Sequence, residues 1–493
     1  LNFSIPLETQ GRKYRFKYEA LYHAIRTAIL DGTLQEGARL PSSRDLASAY
    51  GMSRGSVAHA YDLLHAEGYV RSAVGSGTFV ARVEPRRAMP GRAAAADIPL
   101  SPWGQRVMKP ALPLEGEAAS ASPPGPDPAG TISFKDAGPP AAGFPQAVWK
   151  SALAWAARER AVPAVGAAEA AGDPELRAAI AAHLRRSRGI AAEAEQICLF
   201  QGSMQAIMLL TQLLLGEGEP AVLEDPCYHG ITRAVAACGG VAIPAPVDGD
   251  GILPRDWDAR VLYVTPGRQF PTGAVLSPAR RQELLAWAAK RNAVIVEDDY
   301  DTEFRWRGRP LEPLKALDRE DRVVYIGSFS KTMFASLRIG YAVLPRGLVG
   351  PAVRAKALYE PVSPARLEQR ALACFMRRGD YERHLRRMRR IYSAKHELFR
   401  RTLAAVIPEL FGLRMAEAGL LVYADWKRAP EEFAAFREAA RRRGVTFRDG
   451  ELYRLTPGPP AACFSLSHLD DAALVEGVYR MGQAWKDIYE MKK

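Results

Sequence analysis

A lysine closes the stretch Tyr325-Ile326-Gly327-Ser328-Phe329-Ser330-Lys331-Thr332, and an arginine follows in Leu337-Arg338-Ile339-Gly340. Lys331 has apolar neighbours in Phe329, Met333 and Phe334. Such surroundings ease deprotonation, because burial disfavours the ammonium. A neutral lysine amine can form a Schiff base with a carbonyl. Ser328, Ser330 and Arg338 suit a phosphate, with hydroxyls and backbone N–H groups for positioning and a planar guanidinium for charge. An amine that captures an aldehyde beside a phosphate seat points to pyridoxal 5'-phosphate (PLP). On Ser-x-Ser-Lys alone, a surface lysine after a strand is the better reading.

A second stretch changes the balance. Val294-Ile295-Val296-Glu297-Asp298-Asp299-Tyr300-Asp301 runs from apolar residues into a burst of carboxylates around a tyrosine. PLP needs an acidic partner for its pyridine nitrogen, so that the ring acts as an electron sink, and it benefits from a phenol near the ring hydroxyl. Asp298 and Tyr300 sit two apart, so at an extended strand end they point the same way. The competing reading is a metal-binding or solvated acidic turn. With Lys331 following after one helix-like segment and a strand, the cofactor reading is the stronger.

The elements that position these residues are strands ending in small-residue turns. Val323 to Ile326 reads as a buried strand, and so does the run before Glu297. Ile197 to Phe200 is another, followed by Gly202-Ser203-Met204 and an apolar helix from Ala206 to Leu215. A Gly-Ser turn at a helix N-terminus offers N–H groups to a phosphate. Val222-Leu223-Glu224-Asp225-Pro226-Cys227-Tyr228 and Tyr263-Val264-Thr265-Pro266 are further strand ends. Strand and helix patterns alternate from about residue 131 to 493, which predicts an α/β sheet with helices on both sides.

The 493 residues imply two or more domains, and 48% hydrophobic residues suffice for sizeable cores. The net charge of +12 favours a polyanion such as DNA. Cys198, Cys227, Cys238, Cys374 and Cys463 are scattered, with no metal-ligand spacing. They argue for a reducing cytoplasm and against a disulfide framework. No apolar run reaches membrane-spanning length and no signal-peptide pattern opens the chain, so a cytoplasmic location without membrane attachment is expected.

Residues 1–83 read as a separate unit. Tyr18 to Leu30 has helical apolar spacing, Leu40-Pro41-Ser42-Ser43-Arg44-Asp45-Leu46-Ala47 offers a capped second helix, and a third runs from about Arg54 to Glu67 with Val57, Tyr61 and Leu64 inward. That spacing suits insertion of the third helix into a major groove. Tyr69 to Val80, with a glycine turn at Gly75 and Gly77, reads as a hairpin or wing. Residues 84–130 are rich in Pro, Ala and Gly and read as a semi-extended tether. Leu100 to Trp103 is the part able to pack on a domain.

Glu297-Asp298-Asp299-Tyr300-Asp301-Thr302-Glu303-Phe304-Arg305 and Gly327-Ser328-Phe329-Ser330-Lys331 resemble the signatures of the MocR/GabR-type regulators. In these a GntR-type winged helix-turn-helix is fused to a PLP-dependent fold type I, aspartate aminotransferase-like domain. Leu-Pro-Ser-Ser-Arg-Asp-Leu-Ala and Gly-x-Gly-Thr-Phe-Val resemble the GntR part, and the resemblance covers nearly the whole chain. It implies Arg44, Ser53, Arg54, Ser56 and His59 as DNA contacts, with the wing at Gly75 and Gly77 near the backbone or minor groove. It implies Gly202, Ser203 and Met204 as the phosphate loop and Tyr228 stacked on the cofactor ring, beside Lys331, Asp298, Tyr300, Ser328, Ser330 and Arg338. It also implies a homodimer, arranged head to tail, on two half-sites of double-stranded DNA.

Two departures matter. Phe270 stands where true aminotransferases commonly have Asn before Pro, so Tyr300 and Gln269 are left to supply polar contacts. Cys463 stands on the strand that often carries an arginine for a substrate carboxylate, and a thiol cannot make that bidentate clamp. Either Arg454 or Arg268 substitutes, or PLP itself is the signal. The expected function is a transcriptional regulator with PLP on Lys331, sensing PLP or an amine or amino-acid effector. The alternatives are an aminotransferase with an accessory DNA-binding domain and a large domain that has lost the cofactor and only dimerises. Residual transaminase chemistry is compatible with the first.

Overall fold

The structure is a computed structural model. It describes residues 16–73, 76–82, 99–108, 130–135, 143–158, 170–307, 312–414 and 418–490, with residues 5, 7 and 14. The chain divides into two compact units, Leu1–Pro99 and Leu100–Lys493.

In the first unit, α1 (Lys17–Leu30) buries Leu21, Ala24, Ile25, Ala28 and Ile29, one face of a helix at three- and four-residue spacing. Strand β1 (Arg39–Leu40) precedes α2 (Ser43–Ala49) and α3 (Arg54–Ala66). Each of these two helices starts on a serine: Ser42 Oγ accepts from Asp45 N–H, and Ser53 Oγ accepts from Ser56 N–H, satisfying a donor that a helix start leaves unpaired. Helix α3 turns Val57, Ala60, Tyr61 and Leu64 inward. Strands β2 (Val70–Ala73) and β3 (Gly77–Val80) complete a small antiparallel sheet in the order β1-β3-β2, and Val70 and Val80 seal the core.

The second unit opens with α4 (Pro102–Val107), inside the segment whose composition reads as a tether. Arg106 donates to the carbonyl of Ala237 and pairs with Glu217 at 3.3 Å, so this piece packs on the unit's body. Strand β4 (Ile132–Ser133), α5 (Gln146–Arg158) and α6 (Pro174–Arg188) lead into β5 (Ile197–Phe200) and α7 (Ser203–Leu214). There follow β6 (Pro220–Asp225), α8 (His229–Cys238), β7 (Val241–Asp248), β8 (Gly251–Ile252), β9 (Val261–Val264), α9 (Pro278–Arg291) and β10 (Val294–Asp299). Then come α10 (Leu314–Leu317), β11 (Val323–Ser328) and β12 (Gly340–Val343).

These strands form an eight-stranded sheet in the order β5-β12-β11-β10-β9-β6-β7-β8. Neighbours among β11, β10, β9, β6 and β7 are parallel, whereas β12 runs antiparallel to both β11 and β5. Strands β5, β9 and β12 are buried at every position. A parallel sheet covered on both faces requires such unbroken apolar runs. The topology places the carboxyl ends of β5, β6, β9, β10 and β11 along one edge, with the start of β12 among them.

Helices α11 (Arg346–Tyr359), α12 (Arg366–Arg377) and the long α13 (Asp380–Val406) lead to a second sheet. It is built from β13 (Phe411–Arg414) and β14 (Leu421–Trp426), with β15 (Val445–Thr446) following α14 (Pro430–Arg442) and pairing with β4. Strands β16 (Arg448–Asp449) and β17 (Ala461–Ser465) complete it in the order β13-β14-β17-β16, and α15 (Asp471–Glu490) closes the chain. An aromatic core of Phe411, Trp426, Phe436, Phe447, Phe464 and Trp485 holds helices α14 and α15 against this sheet.

Candidate functional site

The shared edge of the large sheet collects the residues whose types suit a phosphate. Gly202 follows β5, Ser328 ends β11 with Ser330 just beyond, and Arg338 precedes β12. Pairing of Gly340 with both Phe200 and Ser328 draws the three turns together. Ser330 N–H donates to Ser328 Oγ at 3.2 Å, and Arg338 Nη2 donates to the Gln201 carbonyl at 3.2 Å. Gly202 has φ +90°, and a Cβ there would lie 2.8 Å from Arg338 Nη2. At Gly340 a Cβ would lie 2.7 Å from the Gly202 carbonyl carbon. Both glycines are therefore needed for the close approach. Ser203 opens α7, and its backbone nitrogen lies 2.9 Å from where a Cβ on Gly340 would be, so the helix N-terminus, a place that favours anions, adjoins this cradle. Ser330 Oγ is buried without a hydrogen-bond partner among the described residues.

Asp298 and Tyr300 stand at the end of β10, one strand from Lys331. Asp298 is buried and its Oδ1 has no hydrogen-bond partner among the described residues. Burial, then the charges of Asp299, Asp301 and Glu224, push its carboxyl up to about 7. Lys331 is half-buried, and its charge is felt at Asp301. Tyr228, Phe270 and Tyr300 form an aromatic wall: Phe270 meets Tyr228 edge-on at 5.6 Å and Tyr300 at 5.4 Å. Met204 and Tyr228 both crowd Gly230, where a Cβ would lie 2.6 Å and 2.4 Å from them. The edge thus brings together Lys331, Asp298, Tyr300, Tyr228, Gly202, Ser203, Met204, Ser328, Ser330 and Arg338.

Sequence reasoning named Arg268 only as a stand-in carboxylate clamp and missed the layer behind these residues. Arg268 Nη1 donates to Tyr300 Oη at 2.7 Å and to Asp301 Oδ2 at 2.9 Å, and Nη2 donates to the Leu421 carbonyl. Asp301 Oδ2 also accepts from Leu420 N–H. A second buried set lies nearby: Tyr325 Oη donates to Asp299, and Arg188 pairs with Asp299 at 3.4 Å and with Glu303 at 3.5 Å. His183 bridges Glu303 and Glu382. Behind Lys331, Thr332 accepts from Tyr381 Oη, and its carbonyl meets His384 Nε2 at 2.7 Å. In sequence Arg188 looks no different from its exposed neighbour Arg186 in α6; the acidic burst at 297–301 was the only hint that buried cations must answer it.

The two departures also find their places. Cys463 is fully buried in β17 opposite Tyr423 and packs with Leu421, Tyr453 and Ala461, with Phe270 against the cluster. Arg268 is engaged by Tyr300, Asp301 and the Leu421 carbonyl, and its buried Nε has no hydrogen-bond partner among the described residues. Arg454 donates to Tyr423 Oη at 3.3 Å and to the Pro459 carbonyl. Gln269 is buried and donates to the Glu224 carboxylate and the Pro226 carbonyl, so its amide supports the turn.

In the first unit Arg44, Ser53, Arg54 and His59 are exposed or half-exposed, and Ser56 is half-buried. The ring of His59 meets Tyr18 edge-on at 4.6 Å. Ser53 Oγ and Ser56 Oγ lie 2.8 Å apart, so both hydroxyls already serve the helix start. Gly77 has φ +115° in the wing, with the Arg39 guanidinium 3.0 Å from where a Cβ would be. Gly75 lies outside the described residues.

Comparison with known proteins follows the same division. Residues 17–80 match bacterial regulatory proteins of the gntR family, and residues 145–476 match aminotransferase class I and II. The chain is 34% identical to the probable rhizopine catabolism regulatory protein MocR of Rhizobium meliloti, over 95% of this chain and 93% of that one. It is also 34% identical to the HTH-type pyridoxine biosynthesis transcriptional regulator PdxR of Corynebacterium glutamicum, over 78% of each. Among solved structures, LysN, the alpha-aminoadipate aminotransferase of Thermus thermophilus complexed with N-(5'-phosphopyridoxyl)-L-leucine, aligns with TM-score 0.66 and 28% identity. That alignment covers 74% of this chain and 94% of LysN. Among the described residues no helix is long and apolar enough to cross a membrane, and no acidic, His or Cys cluster could hold a metal. With a gntR reading head and a PLP-family aminotransferase domain in one polypeptide, the chain belongs to the MocR/GabR-type transcriptional regulators.

Proposed function

We propose that this regulator carries PLP on Lys331 and uses its occupancy, or reaction with an amine, to control binding of the gntR unit to operator DNA. The observation that carries this reading is the convergence of Lys331 with two buried oxygens, Asp298 Oδ1 and Ser330 Oγ, that have no hydrogen-bond partner among the described residues, at one sheet edge. Buried polar atoms are normally paired, so the absence of a protein partner at these two supports a ligand that supplies a ring nitrogen and a phosphate. When bound, PLP supplies an electron sink. Asp298 would hold the ring nitrogen, and Tyr300, braced by Arg268, would face the ring hydroxyl. Tyr228 would cover the ring. Gly202, Ser203, Ser328, Ser330 and Arg338 would seat the phosphate.

The apolar packing of Cys463 and Phe270 favours PLP itself as the signal over an amino acid clamped through its carboxylate. The relative named for pyridoxine biosynthesis points the same way. Fold type I sites form between subunits, which supports a homodimer reading two half-sites. The test is the absorbance of the purified protein with PLP beside Lys331→Ala. A band near roughly 420 nm in the wild type alone marks a lysine-bound aldehyde, and operator binding should then differ with and without PLP. No band in either protein would leave the large domain as a dimerisation scaffold.

A further inference from the structure

The basic helix α13 lines a groove that the PLP site does not use. A cavity of about 760 Å³ lies between residues 305–307, one side of α13, and strands β13 and β14. Among the described residues its walls carry six guanidiniums, those of Arg305, Arg307, Arg389, Arg390, Arg400 and Arg414, against one carboxylate, Glu397. His396 adds no charge, since burial and then Arg268 push it down to about 3. Carboxylates offset only part of the excess: Arg400 pairs with Glu397 at 2.6 Å, Arg389 with Glu303 at 3.6 Å and Arg414 with Asp425 at 2.8 Å. Arg390 has no hydrogen bond or ion pair among the described residues.

Like charges gathered in a concave place repel, and they raise the local concentration of anions. Trp306, Leu413, Val422 and the fully buried Phe399 supply an apolar floor. The size falls in the range of small-molecule sites, which pair an apolar lining with a few placed polar groups. We infer that this groove binds a small organic polyanion, carrying two or more phosphate or carboxylate groups, at a site separate from the PLP cradle. Its floor includes Leu421, whose carbonyl accepts from Arg268. An anion there would touch the strand that braces Tyr300.

Full-length protein titrated calorimetrically at fixed ionic strength with pyrophosphate, and separately with citrate, tests this. One saturable site per chain with Kd below about 1 mM is expected for at least one probe. Arg390→Ser/Arg400→Ser should weaken it at least ~10-fold, as loss of charge-assisted bonds requires, while Arg338→Ser should retain it. If the double variant melts early, Arg390→Ser alone serves, because that side chain holds no partner among the described residues. No saturable binding, or equal affinity in the arginine variants, overturns the inference. So does loss of binding in Arg338→Ser, which would put the probe in the cradle and leave the PLP reading standing. Displacement of the probe by random duplex DNA in an Arg44→Ala/Arg54→Ala background would make the groove a nucleic-acid surface and overturn it too.

Discussion

Arg268 donates to the phenol of Tyr300 at 2.7 Å, and the same nitrogen donates to Asp301 at 2.9 Å. The guanidinium is almost wholly buried, and its room comes from Gly419, where a Cβ would fall 2.4 Å from Cζ. This one side chain ties the end of β10 to the start of β14. Removing one partner of a buried pair strands the other, at a cost of about 3–5 kcal/mol. Arg268→Met should therefore lower the urea-unfolding free energy by that amount, and Arg268→Lys by less. A change below about 1 kcal/mol would mean that Asp301 is neutral in the folded state and the brace is weak.

Arg338 is exposed, and among the described residues its one hydrogen bond goes to the Gln201 carbonyl. Its removal should barely alter stability. A hydrogen bond to a charged group contributes about 1.5–3 kcal/mol, so Arg338→Ser should weaken PLP binding roughly 10- to 150-fold. Absorbance titration measures it. Unchanged affinity would remove Arg338 from the phosphate seat.

The strand ends could be read because period and composition announce them. Apolar runs at 197–200, 294–296 and 323–326 became β5, β10 and β11, and the turns after them hold the chemistry. The tie between Arg268 and Tyr300 could not be read, because it depends on how β10 sits beside the second sheet. Arg188 was hidden for the same reason: a cation in a basic helix looks solvated until the fold buries it against Asp299 and Glu303. Leu100 to Trp103 looked able to pack, but nothing in the composition placed Arg106 beside Glu217.

Asp298 titrates against stability. Its carboxyl is raised from 3.8 to about 7, chiefly by burial, so the folded state holds a proton that the unfolded state releases. Its contribution is fully present below about pH 4 and is lost as pH rises through 7. Glu224 and Glu297 are raised to about 7 in the same way. Without PLP, Tm should fall between pH 5 and 8, and Asp298→Asn should flatten part of that slope. An unchanged slope would show that Asp298 is solvated.

His183 acts in a higher window. Burial opposes its charge, but Glu303 and Glu382 hold it, and it is raised to about 9. Glu303 is correspondingly held down at about 2, with Arg188 first among the groups that oppose burial. The histidine's stabilisation is complete below its unfolded value of 6.5 and is lost as pH rises through 9. Thermal unfolding at pH 7 and pH 10 should show a loss that His183→Gln removes. Equal losses in both proteins would place the proton elsewhere.

The reading head separates charge from folding. Arg44 and Arg54 are exposed, so Arg44→Ala or Arg54→Ala should leave Tm unchanged. If either neutralises a phosphate, the slope of log K against log salt should fall by about 0.9 for each phosphate no longer neutralised; if it reads a base, sequence preference should relax instead. Ser53 is different, because its hydroxyl caps α3. Ser53→Ala should lower stability by about 1 kcal/mol whether or not it meets DNA. Its binding defect therefore counts as a DNA contact only if Ser53→Asn, which keeps a capping oxygen, restores Tm without restoring affinity. Fluorescence anisotropy on an operator duplex selected from a random pool, across a salt series, makes the distinction. Should Ser53→Asn recover both, Ser53 acts through the helix start alone, and the contacts rest with the two arginines.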